Sequence, residues 1–302
     1  WGGAEAVHRR TFLMLVGGGL LVAACRGPVV YPTPTAPSVP SPAPAADNPK
    51  DFGTGFAYGF NVAWRGDEQG EEFNRRTAEA VRAAGFDWVR IQVQWESHES
   101  QPGQWDLRPL DRVLPIYAEY GLNVLVSVVS APAWARDTSG GIVRDLSAFR
   151  AAMRRFAGTY RGLVKAWQVW NEQNIASNVY GPIRVEPYAR LLRAGYEGVK
   201  EADPEALVVS GSLTPTGVND PNLAIDDVAY LESFYALDDG AWTQYFDILG
   251  AHANATLNPP DTLWPERPGP GPGWRDHPSF YFRRVEQLRA VMEKHGDRRP
   301  VW

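Results

Sequence analysis

The chain has 302 residues, of which 44% are hydrophobic and 22% charged, a composition that excludes wholesale disorder and collagen-like repeats. Its formal net charge of -5 offers no basic stripe for nucleic acid, so we expect no nucleic-acid partner. The single cysteine excludes an intramolecular disulfide and a cysteine-based zinc site. The five histidines are scattered without ligand spacing, so we expect no metal site.

The first 25 residues have the features of an export signal. The apolar run 12–24 is too short for a membrane span of about 20 residues but fits the hydrophobic region of a signal peptide. Residues 9–13 resemble a twin-arginine signal, and residues 22–25 resemble a bacterial lipobox ending at Cys25. We therefore expect an exported lipoprotein, anchored through Cys25 at the cell surface or in the periplasm. The alternative is a buried core helix with an incidental cysteine.

Residues 26–50 are predicted to be a linker. Eight of the 25 prolines fall within residues 28–49, mixed with Ala, Ser and Thr, which favours an extended, semi-rigid spacer without a core of its own. The remaining residues, 51–302, are predicted to form one domain, and we expect a monomer whose membrane contact is limited to the lipid anchor.

From residue 52, strand-like and helix-like hydrophobic periods alternate. The predicted strands are 56–64, 88–95, 122–130, 164–170, 206–213 and 246–253, and residues 300–302 open a seventh. The predicted helices are 71–84, 110–120, 146–160, 186–201, 227–236 and 278–295. Repeated strand–helix units imply a parallel α/β sheet with helical crossovers. Because no glycine-rich phosphate loop follows the first strand, and polar and aromatic residues collect at strand ends, we predict a (β/α)8 TIM barrel with six complete units.

The fourth predicted strand ends directly in Asn171 and Glu172. A carboxylate at a strand end beside tryptophan and amide groups is poorly solvated, so we expect the pKa of Glu172 to be raised. A raised pKa suits a general acid that protonates a leaving group. Asn171 offers an amide N–H to a substrate hydroxyl. The alternative is an ordinary strand-end Glu with no catalytic role.

The segment Trp170-Asn171-Glu172 resembles the fourth-strand Trp-Asn-Glu motif of glycoside hydrolase clan A, the retaining (β/α)8 glycosidases that include families 5 and 39. Other segments resemble this clan in the expected order: Val89-Arg90-Ile91 in strand two, then Trp95-Glu96, residues 103–106 and Leu110-Asp111, then residues 121–126 and 131–135, and residues 247–252 in strand six. The resemblance covers residues 52–302 and implies a barrel glycosidase.

This resemblance implies a role for each of four residues. Glu172 would be the acid/base, Asn171 would hold the sugar 2-hydroxyl, and Arg90 and His252 would orient the nucleophile and the sugar. Arg90 and His252 could instead have purely structural roles. Arg90 could be a buried ion-pair partner, and His252 could be a hydrogen-bonded histidine of the core.

The sequence departs from the clan pattern at two places. Many members carry Tyr two residues after the strand-six histidine, where this chain has Asn254, a candidate substrate contact. The clan nucleophile is a Glu at the end of strand seven, and the sequence ends at Trp302 where that strand begins. The resemblance therefore implies a C-terminally truncated barrel without its nucleophile, which should not hydrolyse glycosides by the clan mechanism.

Other carboxylates and aromatic residues lie near strand ends. Glu96 and Glu99 follow strand two and are weak candidates for the nucleophile, because retention needs two carboxyl groups about 5–5.5 Å apart. The tryptophans predicted to stack on sugar rings, with core packing as the alternative, are Trp64, Trp95, Trp134 and Trp170. The Pro/Gly-rich segment 258–276, with Trp264 and Trp274, is predicted to form a wall of the cleft.

The sequence therefore predicts an exported, retaining glycoside hydrolase that cleaves β-linked oligosaccharides or polysaccharides by double displacement and needs no cofactor. Two alternatives stay open: a catalytically inactive carbohydrate-binding lipoprotein that kept the cleft, and a transglycosylase on the same barrel. The sequence determines neither the sugar and its linkage nor exo or endo action.

Overall fold

The computed structural model describes residues 57–254, 258–266 and 277–302. The predicted export signal with Cys25, the linker 26–50, and residues 267–276 of the proline-rich segment lie outside the described residues and stay predictions. Within the described ranges, no helix has both the length and the apolar character needed to span a membrane.

Five parallel strands form the central sheet: β1 (Gly59–Asn61), β2 (Trp88–Gln94), β3 (Asn123–Val129), β4 (Val164–Val169) and β5 (Leu207–Ser210). They pair side by side in chain order. Nearly all residues of β3, β4 and β5 are buried, as expected for strands covered on both faces. The predicted sixth strand is reduced to single parallel bridges from Ile248 and Ala251 to the chain around β5. A further bridge joins Leu249 to Val301, which places residues 300–302 at a seventh position.

Helices connect the strands as predicted, within one or two residues for the first five: α1 (Gly70–Ala83), α2 (Arg108–Glu119), α3 (Leu146–Thr159), α4 (Val185–Ala202) and α5 (Asp227–Ala236). The helix predicted over 278–295 is divided. A 3-10 turn at Pro278–Phe280 precedes α6 (Arg284–Lys294), because the buried Tyr281 between them has extended backbone.

Short elements occupy the loops at the carboxyl ends of the strands and the turn after α5. They are a four-residue helix Trp95–His98, a 3-10 helix Ala176–Val179, and a 3-10 segment Leu237–Tyr245 that is kinked by left-handed residues at 238–240. Two short antiparallel pairs join Arg136–Asp137 with Ile142–Val143 and Asn219–Asp220 with Ala224–Ile225. The loops at the carboxyl ends of the strands form the end of the sheet where a catalytic site is expected.

The sheet curls into a barrel. The rings of Trp88 in β2 and Trp302 at the seventh position lie 4.8 Å apart, edge to face. In an open sheet, five strand spacings of about 4.8 Å would separate these two positions by about 24 Å. The fold is therefore an incomplete (β/α)8 barrel over the described residues, as predicted.

Two apolar cores hold this architecture. The larger lies between the outer face of the sheet and the helices, and it takes Val89, Ile91 and Val93 of β2. The smaller lies inside the barrel and contains Leu125, Ala166, Leu207, Val209 and Ile248, with Trp88 and Trp302 packed against it. Because side chains alternate along a strand, Arg90 lies on the same inner face as Trp88, two residues nearer the carboxyl end. The barrel interior is thus apolar at its amino end and polar at its carboxyl end.

Candidate active site

The turn that follows β4 has unusual backbone geometry. Trp170 and Glu172 both adopt left-handed conformations, with φ of +73° and +50°. For residues with a side chain this costs about 1–3 kcal/mol each, and it persists where surrounding contacts enforce it. Glu172 N–H donates to the Ser212 carbonyl at 2.8 Å, and the Glu172 carbonyl accepts from Ile175 N–H at 3.0 Å. The turn therefore fixes Glu172 at the carboxyl end of β4, in the mouth of the barrel.

The Glu172 carboxylate is half-buried and hydrogen-bonded. His252 Nδ1 lies 3.0 Å from Glu172 Oε1, and 28% of the Glu172 side chain is exposed. The hydrogen bond from His252 lowers the pKa of Glu172, helped by the Thr214 hydroxyl and the charge on Arg90, and together these outweigh burial. The expectation of a raised pKa is therefore wrong for these surroundings, because the strand-end carboxylate meets donors rather than apolar surface.

Arg90 lies beside Glu172 and is surrounded by amide oxygens. Its Nε donates to Gln168 Oε1 at 2.8 Å, its Nη1 to Asn61 Oδ1 at 3.1 Å, and its Nη2 to Asn171 Oδ1 at 2.7 Å. Burial lowers the pKa of Arg90, while the charge of Glu172 opposes this change. Within the described residues Arg90 makes no ion pair at contact distance; its guanidinium lies in the cavity wall and donates to three amide oxygens instead.

Gln168 holds Arg90 from inside the barrel. This side chain is 1% exposed, and its Nε2 donates to the Ser210 carbonyl at 3.0 Å and to Ser212 Oγ at 2.7 Å. Its amide oxygen is thereby turned to Arg90. A buried amide with all of these partners is well satisfied and rigid, so the position of Arg90 is set by β4 and β5 together.

These residues line a cavity of about 520 Å³ at the carboxyl end of the barrel. The described side chains that contribute to its wall include Asn61, Trp64, Arg90, Gln92, Asn171, Glu172 and His252. Trp64 is half-buried, and its Nε1–H donates to the Gln92 carbonyl at 2.9 Å. Among the described lining residues, Glu172 is the single carboxylate. The structure thus brings together Glu172, Asn171, Arg90, His252 and Trp64, as the sequence predicted.

Two predicted sugar-stacking tryptophans lie in the core instead. Trp95 is fully buried, since it continues the outward-facing series of β2, and its Nε1–H donates to Glu99 Oε2 at 2.7 Å. Trp170 is 2% exposed; its Nε1–H donates to the Asn178 carbonyl at 3.0 Å and its ring packs on Phe149. Both indoles face the helical layer rather than the cavity, so the prediction that they stack on sugar rings is wrong.

The remaining predicted contacts also lie away from Glu172. Trp134 lines a separate groove of about 670 Å³ beside α3, and its Nε1–H donates to the Glu99 carbonyl at 3.1 Å. Asn254 is exposed and does not contribute to the Glu172 cavity. Glu96 pairs with Arg136 at 2.9 Å, and the buried Glu99 carboxylate accepts from Trp95 and Gly103, so both have structural partners.

Sequence reasoning did not single out Asn61, Gln168 or Thr214. Asn61 is the register partner of Arg90 on the neighbouring strand, and Thr214 follows β5 at the same end of the barrel as Glu172. Their polar side chains at strand ends carry the same signal that identified Asn171. Which strand-end residues converge depends on register, and the sequence does not state register.

The sequence matches no protein-family model and no curated protein. Solved structures are similar in fold. A family 39 glycoside hydrolase from the gut symbiont Bacteroides cellulosilyticus WH2 superposes with a TM-score of 0.52 at 22% identity, covering 70% of this chain and 41% of that one. This similarity shows the barrel fold. The chain has a barrel fold similar to that of this glycoside hydrolase.

Two further solved structures are similar at lower TM-scores. A GH5_18 protein from Streptomyces cattleya in complex with GlcNAc has a TM-score of 0.49 at 17% identity, covering 65% of this chain and 51% of that one. An exo-β-1,4-mannosidase from Opitutaceae bacterium strain TAV5 has a TM-score of 0.49 at 16% identity, covering 82% and 51%. The chain thus spans about half the length of these solved structures.

Proposed function

We propose that this chain carries the acid/base side of a retaining glycoside hydrolase that acts on β-linked glycosides. The observation that supports the proposal is the strained turn after β4, which holds Glu172 in a polar cavity between the His252 imidazole and the guanidinium-bound Asn171. A half-buried carboxyl group with a defined hydrogen-bond donor can exchange a proton with a bound substrate. Asn171 would bind the sugar 2-hydroxyl, and Trp64 would pack on a sugar ring.

In the proposed reaction Glu172 acts twice. It first donates a proton to the leaving glycosidic oxygen while a second carboxylate forms the glycosyl–enzyme bond, and it then removes a proton from the water that breaks that bond. The His252 hydrogen bond lowers the pKa of Glu172, which suits the second, basic step. The acid step requires the pKa to be higher, and a second carboxylate about 5–5.5 Å away would raise it by like-charge repulsion.

The second carboxylate is part of the proposal. Neither Glu96 nor Glu99 contributes to the Glu172 cavity. The clan resemblance assigns the nucleophile to the carboxyl end of strand seven, which residues 300–302 open next to the sixth position. A carboxylate at that end would face the mouth of the barrel.

The test is hydrolysis of aryl and alkyl β-glycosides by the protein at its natural length. Glu172→Gln should lower kcat/KM for methyl glycosides by about 10²–10⁴-fold, because a poor leaving group needs the proton. The loss should be much smaller for 2,4-dinitrophenyl glycosides, which leave without protonation. Glu96→Gln is the matched control. This carboxylate lies in the short helix Trp95–His98, outside the Glu172 cavity, and is bonded to Arg136, so its substitution should leave both rates unchanged.

NMR of the first product anomer should show retained configuration. Equal losses with both leaving groups would contradict the acid role of Glu172. Binding of oligosaccharides without turnover of any glycoside would favour the carbohydrate-binding alternative, and transfer to sugar acceptors in place of water would favour a transglycosylase.

A further inference from the structure

The guanidinium of Arg90 determines how two neighbouring amides are oriented. A guanidinium has donors and no acceptor, so each amide atom that faces it must be the oxygen. Asn61 Oδ1 lies 3.1 Å from Nη1 and Asn171 Oδ1 lies 2.7 Å from Nη2. The amide nitrogens of Asn61 and Asn171 are therefore turned away from Arg90.

Both amide nitrogens are free to meet a ligand. Both side chains line the cavity of about 520 Å³ that contains Glu172. Over the residues that the structure describes, neither Asn61 Nδ2 nor Asn171 Nδ2 has a hydrogen-bond acceptor. Asn171 is half-buried and already assigned to the substrate, and Asn61 presents the same group from the other end of the same guanidinium. Asn61 and Asn171 thus form a pair of N–H donors that are both held by the Arg90 guanidinium, their common support.

The support is rigid because β1, β2, β4 and β5 all contribute to it. Asn61 and Arg90 are register partners on β1 and β2. The Nε of Arg90 is held by Gln168, which is itself bonded to Ser210 and Ser212. A donor held by such a network loses little freedom when it binds, so its contribution to affinity is larger than that of a mobile surface amide.

We propose that Asn61 is a specificity-determining residue that, together with Asn171, binds two hydroxyl oxygens on adjacent carbons of one sugar unit. This inference rests on the proposed function, which gives Asn171 the 2-hydroxyl. Carbon 1 is the anomeric carbon, so the adjacent free hydroxyl is the 3-hydroxyl, and Asn61 binds it. Sugars that lack this hydroxyl or present it on the other face of the ring are poorer substrates.

The experiment measures kcat/KM for the 4-nitrophenyl β-glycoside that the natural-length protein cleaves fastest, and for its 2-, 3- and 4-deoxy counterparts. Asn61→Ala should lower kcat/KM about tenfold on the parent substrate, the effect of one hydrogen bond. On the 3-deoxy substrate, kcat/KM should be the same for Asn61→Ala and for the unmodified protein. Asn222→Ala, an exposed asparagine outside the cavity, is the matched control and should change neither rate.

The outcomes separate this inference from the proposed function. Failure of the unmodified protein to cleave any glycoside would overturn the function and the inference together. Cleavage with an undiminished Asn61→Ala effect on every deoxy substrate, or with the effect lost only on the 4-deoxy substrate, would overturn the inference alone. Thermal unfolding of Asn61→Ala should match the unmodified protein, because Asn61 is exposed on the edge strand β1.

Discussion

At the scale of single residues, the balance of donors decides the chemistry of Glu172. Burial alone would raise the pKa of this carboxyl group, but the hydrogen bond from His252 acts in the other direction and is the larger effect. His252 reaches Glu172 from the sixth position of the barrel, 80 residues later in the chain. The acidity of Glu172 is thus a property of the assembled barrel rather than of the Trp-Asn-Glu segment.

The pH profile should therefore depend on His252. Acid catalysis requires protonated Glu172, so the basic limb of kcat/KM reports the pKa of this group in the free enzyme. His252→Ala removes the donor that lowers the pKa, so the pKa rises and the basic limb moves to higher pH. The measurement is kcat/KM on a methyl β-glycoside, whose leaving group needs the proton, across about pH 4–9. This range spans the ordinary pKa of a carboxyl group and the raised values found in proteins.

His252→Asn is the conservative control. Its amide N–H can still donate to the carboxylate, so the basic limb should move less than in His252→Ala. A basic limb that stays in place in His252→Ala, with kcat/KM otherwise measurable, would contradict the dominance of this hydrogen bond.

At the scale of elements, β4 leads into the turn that holds Asn171 and Glu172, and two helices support this strand from outside. Gly195 of α4 lies against Val169, where an added Cβ would come within 2.7 Å of a Val169 methyl. Gly198 brings α4 close to the backbone of α3, since an added Cβ would lie 2.4 Å from the Arg150 carbonyl oxygen. The loop after β4 is held separately: Ala131 N–H donates to Tyr180 Oη at 3.0 Å, and the Arg136 guanidinium stacks on the Tyr180 ring.

Gly198→Ala should destabilise the protein by forcing α3 and α4 apart. We expect a loss of about 1–3 kcal/mol in the free energy of unfolding, the usual effect of overpacking. Gly158→Ala on α3 is the matched control, because its Cβ would meet the Ala202 Cβ at 3.5 Å, an ordinary contact. That substitution should be neutral or should stabilise by up to about 1 kcal/mol through helix propensity.

Chemical denaturation of both glycine variants measures this difference. Equal stability of Gly158→Ala and Gly198→Ala would show that the two helices can separate without cost. If Gly198→Ala also lowered kcat, the displacement of α4 would have reached the turn after β4.

At the scale of the whole molecule, a buried ion cluster joins the start of α5 to α6. Arg284 is 3% exposed, and its Nη2 lies 2.7 Å from both Asp226 Oδ2 and Asp227 Oδ1. Burial raises the pKa of Asp227, against the opposing effect of Arg284. The Asp226 carboxylate also caps α5 and accepts from Ser279 Oγ at 3.1 Å. Segments that are more than 50 residues apart are thus fixed through one guanidinium.

Arg284→Met should cost about 3–5 kcal/mol of unfolding free energy, because it leaves two buried carboxylates without their cation. The neighbouring Arg283→Met is the matched control: Arg283 is half-buried and bonded to Glu286 on the surface, and such a pair contributes at most about 1 kcal/mol. Thermal and denaturant unfolding of the two variants give the comparison. If the two variants were equally stable, the buried cluster would not make the expected contribution to the free energy of unfolding.

Much of the fold follows from the sequence, and the reason is hydrophobic periodicity. The long apolar runs of β3 and β4 and the amphipathic helices α3 and α4 predict their own bounds to within one or two residues. The weak element is the sixth strand, which has bridges in place of a continuous ladder. The pairing of a strand depends on its neighbours on both sides. The sequence of the sixth strand therefore does not determine whether it forms a continuous hydrogen-bond ladder.

The candidate site divides in the same way. The sequence by itself determined that Asn171 and Glu172 end a buried strand and that His252 lies near a strand end, because each is a local pattern. Arg90 lies within the second strand and was singled out by the resemblance to clan A. The tertiary structure alone decided that Trp95 and Trp170 face the helices, that Gln168 holds Arg90, and that Asn61 joins the cavity. Strand register and the left-handed turn after β4 determine which face each side chain occupies. A shift of one residue in the register, or in the length of the turn, would move these side chains to the opposite face. Contacts between distant strands therefore set the chemistry of this site.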